Sequence, residues 1–397
     1  MRRQEATKQS YGSGGMVERS PGHWTLTIQL ARDPLTGTLR RQRFTVRGTR
    51  RDAQRALRNA LQQRDTGFAV LPAKLTVTEW LTAWLQRHSA EGHLGGKTFE
   101  RYDGIITKHL IPSLGQLRLQ ALRSDHISAL KARWLSGKNS TAAEPLSGGS
   151  VHKHLGVLRQ ALADAVTAGV IARNPSDAVK APSVKSRSER RALTATEITA
   201  LIDAATGTRY DTPIRFTLAT GLREGELLGL KWEDIDLDTG SIEVRRTASY
   251  VGGTTVFGSP KTERSRRTIE LSAATVQLLR AHRAAQVEHR LRIGPVWREH
   301  GLVFPSLIGT PWLARTFLRD YRVLLTKTTI NNVDSVNWHG LRHSAATQWI
   351  AHGVDIFSVS RRLGHASASF TMDVYGHLLK GQQRHAAEAL DYLLASP

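Results

Sequence analysis

Two patterns in the sequence predict a mainly α protein with small β-sheets, an α+β fold. Residues 24–30 alternate between apolar and polar side chains, which is the two-residue period of a half-buried strand. Residues 75–177 carry apolar side chains at the spacing of amphipathic helices. We therefore predict a β-sheet-plus-helix module over 1–70, an all-helical domain over 75–177, a linker over 178–191 and a mixed α/β domain over 192–397.

The N-terminal module is predicted to open with a polar, loose lead-in over residues 1–20. The alternation over 24–30 predicts a first strand. A second alternation of apolar and polar residues around Phe44 predicts a second strand that runs back along the first. Thr49 is followed by Asp52 three positions on, which is the spacing of a helix cap. The expected product is two strands that pack against one helix.

Arginine is concentrated on this N-terminal module. Basic side chains on a short sheet can contact DNA phosphates, and such a sheet can enter a major groove. The alternative is an ordinary solvated basic face. The candidates for DNA contact are Arg40, Arg41, Arg43, Arg47, Arg50 and Arg51.

The helical region is interrupted by a polar loop. Residues 136–150 are rich in Gly and Ser, and Ser150 is placed to cap the helix that follows. Asn174-Pro175 ends the region, because proline breaks helices. The stretch 180–191 is polar, basic and interrupted by proline, which is typical of an exposed linker.

The last region mixes helical and strand patterns. Thr194 and Glu197 have the spacing of a capping box. Residues 241–271 alternate between apolar and polar side chains in the way that the two strands of a β-hairpin do. Apolar residues between 378 and 394 recur at helical spacing and predict an amphipathic tail helix. The apolar face of that helix must pack on its own domain or on a second copy of the chain.

The charge balance indicates a polyanionic partner. The chain has 56 Lys and Arg against 34 Asp and Glu, a formal net charge of +22, which favours nucleic acid over a merely soluble basic protein. It has no cysteine, which excludes disulfides, thiolate nucleophiles and Cys-ligated zinc. Neither a signal peptide nor a run of about 18 apolar residues is visible. We expect a cytoplasmic protein with no membrane partner.

Six residues of the last region, taken in chain order, are candidates for a catalytic site. Arg223 and Glu226 are spaced as neighbours on a helix, and so are His339 and Arg342. Taken singly, each residue has a structural explanation, such as packing, an intrahelical ion pair or an ordinary surface position. Lys261 is expected on the turn side of a strand. Together the set reads Arg223, Lys261, His339, Arg342, His365 and Tyr375.

With its surrounding sequence, this set resembles the tyrosine recombinase (phage integrase) family. The similar stretches are TLATGLREGELLGLKWEDID at 217–236, NWHGLRHS at 337–344 and RLGHASASFTMDVYGHLL at 362–379. The resemblance covers roughly 190–385 and extends less specifically to the earlier regions. It implies an arm-binding N-terminal module, a helical (SAM-like) core-binding domain and a mixed α/β catalytic domain. It also implies a site-specific recombinase that integrates or excises a mobile element.

In such an enzyme a tyrosine attacks a DNA phosphodiester and forms a 3′-phosphotyrosine. The resemblance implies that Tyr375 is this nucleophile, that His339 is its acid/base partner and that Lys261 gives a proton to the departing 5′-oxygen. Tyrosine has an ordinary pKa of about 10, so its ionisation at pH 7 costs roughly 4 kcal/mol and needs help from its neighbours.

The remaining residues of the set suit the phosphate. Arginine side chains are planar and always charged, and they match the non-bridging oxygens of the transition state. The resemblance gives this role to Arg223 and Arg342, and it implies a further hydrogen bond from His365. Glu226 is expected to support Arg223 or His339 rather than to react.

Rejoining needs neither ATP nor a metal, because the phosphotyrosine keeps the energy of the phosphodiester bond, so we expect no cofactor. The expected partners are double-stranded DNA attachment sites and three further copies of the chain, in a homotetramer on the nucleoid-associated DNA of a bacterial host. An excisionase and a DNA-bending accessory protein stay open. So do two other functions: type IB topoisomerase-like strand cleavage, and DNA-binding regulation without catalysis by the same fold.

Overall fold

The computed structural model describes residues 14–32, 39–65, 75–137, 145–183, 191–259, 266–365 and 367–376. The chain divides into two compact units, Met1–Lys185 and Ser186–Pro397. The predicted α+β class is confirmed, since helices dominate and the sheets are small and antiparallel. The finer division into four parts stays a prediction. No helix among the described residues has both the length and the apolar composition to cross a bilayer.

A three-stranded antiparallel sheet and one helix form the N-terminal part of the first unit. The first strand corrects the expectation of a loose lead-in, because residues 15–20 pair with the second strand. Four of its six side chains are exposed, so it shows no apolar alternation in the sequence. In chain order the elements are β1 (Gly15–Ser20), β2 (His23–Arg32), β3 (Leu39–Arg47) and α1 (Arg50–Asp65).

One face of this sheet packs on α1. Trp24, Leu26 and Ala53 are buried together between the sheet and the helix. The predicted cap is confirmed: the Asp52 amide donates to Thr49 Oγ1 at 3.3 Å, and the Thr49 amide donates to the Asp52 carboxylate at 3.0 Å. The other face of the sheet is left to polar and basic side chains.

The rest of the first unit is helical, as predicted. Trp80 joins its first and last helices by donating from Nε1 to the Ala161 carbonyl at 2.8 Å. The last helix is capped by Ser147, whose hydroxyl accepts from the Ser150 amide, so the prediction of Ser150 as the cap is wrong. The helices are α2 (Val77–Ala90), α3 (Gly96–Ile105), α4 (Ile111–Leu114), α5 (Ser124–Ser136) and α6 (Gly148–Thr167).

The second unit mixes helices with two small sheets. One sheet has the order β4-β5-β8 and the other is the β6-β7 hairpin, so residues 241–271 form parts of two sheets rather than a single hairpin. The elements are α7 (Ala195–Ala205), α8 (Asp211–Thr220), α9 (Glu224–Gly229), β4 (Ile235–Asp236), β5 (Ser241–Val244), β6 (Thr247–Val251), β7 (Thr254–Gly258), β8 (Arg267–Glu270), α10 (Ala273–Ile293), α11 (Ala314–Leu325), α12 (Trp338–Ala351), α13 (Ile356–Leu363) and α14 (Ala368–Tyr375).

The core of the second unit fixes α12 against its neighbours. Trp338, at the start of α12, packs edge-to-face on Phe317 and Tyr321 of α11, and all three side chains are buried. The predicted capping box is confirmed, with the Thr194 hydroxyl accepting from the Glu197 amide at 3.2 Å. A smaller apolar cluster joins α12, α13 and α14 through Ala346, Ile350, Val359, Leu363 and Tyr375. This cluster carries the candidate site.

Candidate functional site

Three arginines meet the C-terminal end of α13. The last turn of a helix leaves carbonyl groups without intrahelical partners and carries partial negative charge, so it attracts cations. Here three consecutive carbonyls each accept from a different guanidinium. The contacts are Arg267 Nε to Arg362 O at 2.7 Å, Arg342 Nη2 to Leu363 O at 2.6 Å and Arg223 Nη2 to Gly364 O at 3.1 Å.

Arg342 is held at both ends of its guanidinium. Nη1 donates to the Gly221 carbonyl at 2.7 Å, while Nη2 donates to Leu363, and the residue is only 2% exposed. Gly221 has a φ of 67°, and a Cβ there would lie 2.7 Å from Leu363 Cδ2, so glycine is required. These two bonds use two of five N–H groups. The group is thus oriented with donors to spare for an anion.

The charge of Arg342 favours an anionic ligand. Burial, followed by the positive charge of Arg223, lowers the pKa of Arg342. Such a shift measures the free energy of keeping a cation away from water beside another cation. A phosphate between the two guanidinium groups would offset part of that penalty. The arrangement is therefore suited to binding a phosphodiester.

Glu226 forms ion pairs with two of these arginines. Arg223 Nη1 donates to its carboxylate at 2.7 Å, and Arg267 Nη2 donates to it at 3.0 Å. The carboxyl is 4% exposed, and burial alone would raise its pKa, but Arg267 and then Arg223 outweigh burial and lower the pKa to about 2. Arg267 was not predicted from the sequence, because nothing distinguishes it from the other basic residues of its segment.

Glu226→Gln is expected to destabilise the protein in a pH-dependent way. The carboxylate has a folded pKa of about 2 against an ordinary 4.5, so its stabilisation is complete above pH 4.5 and is lost as the pH falls toward 2. The shift corresponds to roughly 3 kcal/mol of unfolding free energy at pH 7. Denaturant unfolding of both proteins at pH 7 and at pH 3 measures it.

The deficit of the Gln variant should shrink by more than half at the lower pH. The matched control is Glu233→Gln, since Glu233 also pairs with an arginine but has a side chain that is 60% exposed. That change is expected to cost less than about 1 kcal/mol. An equal deficit for Glu226→Gln at both pH values would contradict the assigned role of this carboxylate.

Tyr375 ends α14 with its hydroxyl inside the site. The residue is 3% exposed, and its hydroxyl oxygen lies 2.6 Å from Nδ1 of His343. Burial raises the pKa of Tyr375 to about 12, although the charge of Arg342 works in the opposite direction. Ionising this phenol at pH 7 would cost roughly 7 kcal/mol. Its attack on phosphorus therefore requires a proton acceptor.

The predicted helical pair of His339 and Arg342 lies on α12, with Arg342 buried and His339 half-buried. The Tyr375 hydroxyl contacts His343, which was not among the residues predicted from the sequence. The rings of His339 and His343 meet edge-to-face with centroids 4.9 Å apart. Their i,i+4 spacing was the available signal, because it puts both on one face of a helix. The acid/base role of His339 stays a prediction.

His365 follows the turn at the end of α13. Its Nδ1 lies 2.8 Å from the hydroxyl of Thr371, which is completely buried. Burial, then the charges of Arg342 and Arg223, lower the pKa of His365 to about 3, so the ring is neutral at pH 7. When the Thr371 hydroxyl donates to Nδ1, the ring proton stays on Nε2. That N–H is then available to a phosphate oxygen.

The structure thus brings Arg223, Arg342, His365 and Tyr375 together around the end of α13, with Glu226 behind them. Lys261 falls outside the described residues, and so does the predicted tail helix over 378–394. Their placement stays a prediction.

The candidate DNA-contacting arginines belong to the first unit, whereas this site belongs to the second. Arg41, Arg43 and Arg47 are exposed on β3, on the sheet face opposite α1. Arg50 and Arg51 are exposed at the start of α1. The structure describes the backbone of Arg40 in β3 but not its side chain.

One described group could offer atoms to a metal. His88, Glu91 and His93 place potential ligand atoms within 4.8 Å of one another at the end of α2. His88 Nε2 lies 2.7 Å from the Asp164 carboxylate, and His93 lies 3.3 Å from Glu91. These contacts account for the grouping without a metal. The group belongs to the first unit, whereas the chemistry described above belongs to the second.

Family models match two stretches of the chain. The model of the phage integrase family matches residues 191–382, and the model of the phage integrase N-terminal SAM-like domain matches residues 76–135. An integrase of Streptomyces ambofaciens is 30% identical over 395 residues, covering 97% of each chain. The ICEBs1 integrase of Bacillus subtilis (strain 168) is 26% identical and covers 94% of this chain and 98% of its own.

Solved structures share the fold. The Tn1549 transposon integrase in complex with transposon right end DNA superposes with a TM-score of 0.66 and 18% identity, covering 80% of this chain and all of that one. A lambda integrase dimer bound to a COC′ core site gives 0.54 and 19%, over 94% and 96% of the two chains. A lambda integrase tetramer bound to a Holliday junction gives 0.53 and 20%, over 89% and 96%.

Proposed function

The chain belongs to the phage integrase family of tyrosine recombinases, and we propose that Tyr375 is the nucleophile with which it cleaves DNA. It is a site-specific recombinase, an enzyme that cuts and rejoins DNA strands of mobile elements. The observation that carries the proposal is the buried Tyr375 hydroxyl, next to the guanidinium of Arg342, which two backbone carbonyls hold in place.

The phosphate is bound first. Arg223 and Arg342 keep N–H groups that their carbonyl and carboxylate partners do not use, and these donate to the two non-bridging oxygens. His365 adds an Nε2–H donor. As phosphorus becomes five-coordinate, negative charge grows on those oxygens, and fixed donors stabilise that state more than they stabilise the substrate.

Cleavage exchanges one phosphoester for another. The Tyr375 oxygen bonds to phosphorus, the bond from phosphorus to the 5′-oxygen breaks, and a 3′-phosphotyrosine remains. The 5′-oxygen leaves with a proton, which we assign to Lys261. A free 5′-hydroxyl of another strand reverses the step, and neither ATP nor a metal is required, because the phosphoester energy is kept.

The first unit is proposed to bind the DNA at two kinds of site. We assign the β1-β2-β3 sheet with α1 to arm-type sites, and the helices from α2 to α6 to the core site, with residues 178–191 as the linker. The lambda integrase structures contain a dimer on a core site and a tetramer on a Holliday junction. By this likeness we propose that the chain acts as a homotetramer on two attachment sites.

We propose that further partners set the direction of the reaction. A reaction that exchanges equivalent phosphoesters has little net free energy, so integration and excision are nearly balanced in chemistry. We propose that an excisionase and a DNA-bending accessory protein set the balance by stabilising one assembly on DNA. No such protein is needed for the cleavage step itself.

The function is tested on supercoiled plasmids with and without the two attachment sites of the element. A recombinase is expected to give recombinant circles only from plasmids that carry both sites. A topoisomerase of type IB would relax plasmids that carry neither, and a regulator would leave both unchanged. Either of those outcomes would overturn the proposed function.

The same assay tests the arm-binding assignment. Replacing Arg41, Arg43 and Arg47 by alanine is expected to reduce recombination only on sites that contain arms. It should also make the slope of log affinity against log salt less steep by about 2–3, because fewer phosphates are neutralised. The control removes three exposed arginines from α11 instead, Arg315, Arg319 and Arg322. Equal effects of both triple variants would contradict the assignment.

A further inference from the structure

The contact between Tyr375 and His343 differs from those of the other buried tyrosines in the second unit. Tyr210 donates to the Phe317 carbonyl at 2.6 Å, and Tyr321 is buried with a hydroxyl that has no partner among the described residues. A carbonyl accepts a hydrogen bond, but it does not take a proton at neutral pH. An imidazole nitrogen does both. Packing therefore does not explain why the hydroxyl of Tyr375 is paired with a basic group.

The geometry fits a proton transfer without rearrangement. The Tyr375 oxygen is 2.6 Å from Nδ1 of His343, within the range expected of a base and the proton it removes. The two rings are tilted by 49° with centroids 5.7 Å apart, so the contact is made by the hydroxyl and not by stacking. His343 is half-buried on α12, one turn after His339, whose ring lies against its edge.

We propose that His343 is the group that removes the proton of Tyr375 during cleavage. As the Tyr375 oxygen bonds to phosphorus, its proton passes to Nδ1 of His343, and the electron pair of the breaking bond leaves with the 5′-oxygen. On rejoining, the imidazolium returns that proton to the phenol. The inference rests on the proposed role of Tyr375 as the nucleophile, and it assigns the base to a different residue from the predicted His339.

The surrounding charges link this transfer to DNA binding. Among the described residues, the titratable groups that face His343 include His339 on the same helix, Tyr375 from α14 and His365 from the turn after α13. Arg342 is adjacent to His343 in the chain and adds one positive charge, and Arg223 and Arg267 add two more that act, with Arg342, on the neighbouring His365. When no anion is bound, these charges oppose a further positive charge on the imidazole. A bound phosphate offsets these charges, so transfer of the phenol's proton to His343 is favoured once DNA occupies the site.

The test uses three variants of the full chain on a nicked duplex that traps the cleaved state. In His343→Asn the amide oxygen can replace Nδ1 as a hydrogen-bond acceptor but cannot hold the proton. His339→Asn makes the same change at the predicted base, and His352→Asn is a control at the exposed end of α12. Folding and DNA affinity are measured for each, so that loss of structure is recognised.

The readout is the single-turnover cleavage rate from pH 5.5 to 9. Wild type should show an acid limb in which the rate rises with pH. His343→Asn should be slower by about 100-fold or more at pH 7, and its rate should rise with pH over the whole range instead of levelling off as the wild-type rate does, because the phenol must then ionise without a base. The His352→Asn control should match wild type. A His343→Asn profile that levels off as the wild-type profile does would overturn the inference.

A second substrate separates the two ends of the reaction. A sulfur atom in place of the bridging 5′-oxygen leaves without a proton, so it restores a variant that lacks the acid and does not restore one that lacks the base. His343→Asn should remain slow on this substrate, and restoration of its rate would overturn the inference. If wild type forms no adduct with either substrate, the proposed nucleophile itself is wrong.

Discussion

Tyr375→Phe is expected to abolish the covalent protein–DNA adduct and all recombination while leaving DNA binding intact. The change removes the one oxygen that bonds to phosphorus and keeps the ring, which packs in the cluster of α12, α13 and α14. The phosphate ligands Arg223 and Arg342 are anchored to carbonyls and to Glu226, not to the phenol, so the site should still bind DNA. Adduct yield on a nicked duplex and affinity by gel shift measure the two effects.

The matched control is Tyr250→Phe, in which an exposed hydroxyl on β6 is removed. It should leave both adduct formation and recombination unchanged. Recombination that persists in Tyr375→Phe would show that another group attacks the DNA, and loss of DNA binding would show that the ring is part of the DNA contact.

Arg342→Lys is expected to slow cleavage by about 10²–10³-fold, the cost typical of losing a fixed donor to a transition-state oxygen. The guanidinium of Arg342 donates to the Gly221 and Leu363 carbonyls and has further N–H groups for the phosphate. A lysine ammonium is a single point and cannot contact both carbonyls and a phosphate oxygen in the same geometry. Because lysine keeps the positive charge, the reduction in cleavage rate measures the contribution of the guanidinium's shape.

Stability must be separated from chemistry in this variant. A buried carbonyl that loses its donor costs about 1–3 kcal/mol, so Arg342→Lys is also expected to unfold at lower denaturant concentration. Single-turnover cleavage should therefore be measured where the variant is folded, with Arg280→Lys as the exposed control. Normal cleavage by folded Arg342→Lys would contradict the assigned role of the guanidinium.

Five residues of the site could be identified in the sequence because each lies in a short, distinctive stretch. They are Arg223, His339, Arg342, His365 and Tyr375. The class of fold followed from periodicity, since the buried faces of the long helices repeat every 3.6 residues. Local caps could be predicted where the sequence offers one acceptor, as at Thr49 and Thr194. Ser150 was predicted as the cap of α6 in place of Ser147, because a run of Gly and Ser offers several equivalent acceptors.

Contacts made by tertiary structure could not be predicted. Arg267 reaches Glu226 from β8, 41 residues away in the chain, and no local pattern marks that ion pair. The pairing of His343 with Tyr375 depends on how α14 returns to α12, over 32 residues. Strand β1 was missed because most of its side chains are exposed, so its evidence lies in pairing with β2 rather than in its own composition.

The central claim is that the phenol of Tyr375 becomes bonded to DNA phosphorus. The most direct measurement traps wild-type protein on a nicked duplex, digests the adduct with trypsin and identifies the peptide that carries the nucleotide. Cleavage after lysine and arginine gives the peptide 363–380, in which Tyr375 is the only tyrosine. The prediction is a 3′-phosphate attached to that tyrosine. A nucleotide on Tyr321, Tyr392 or a serine would contradict it.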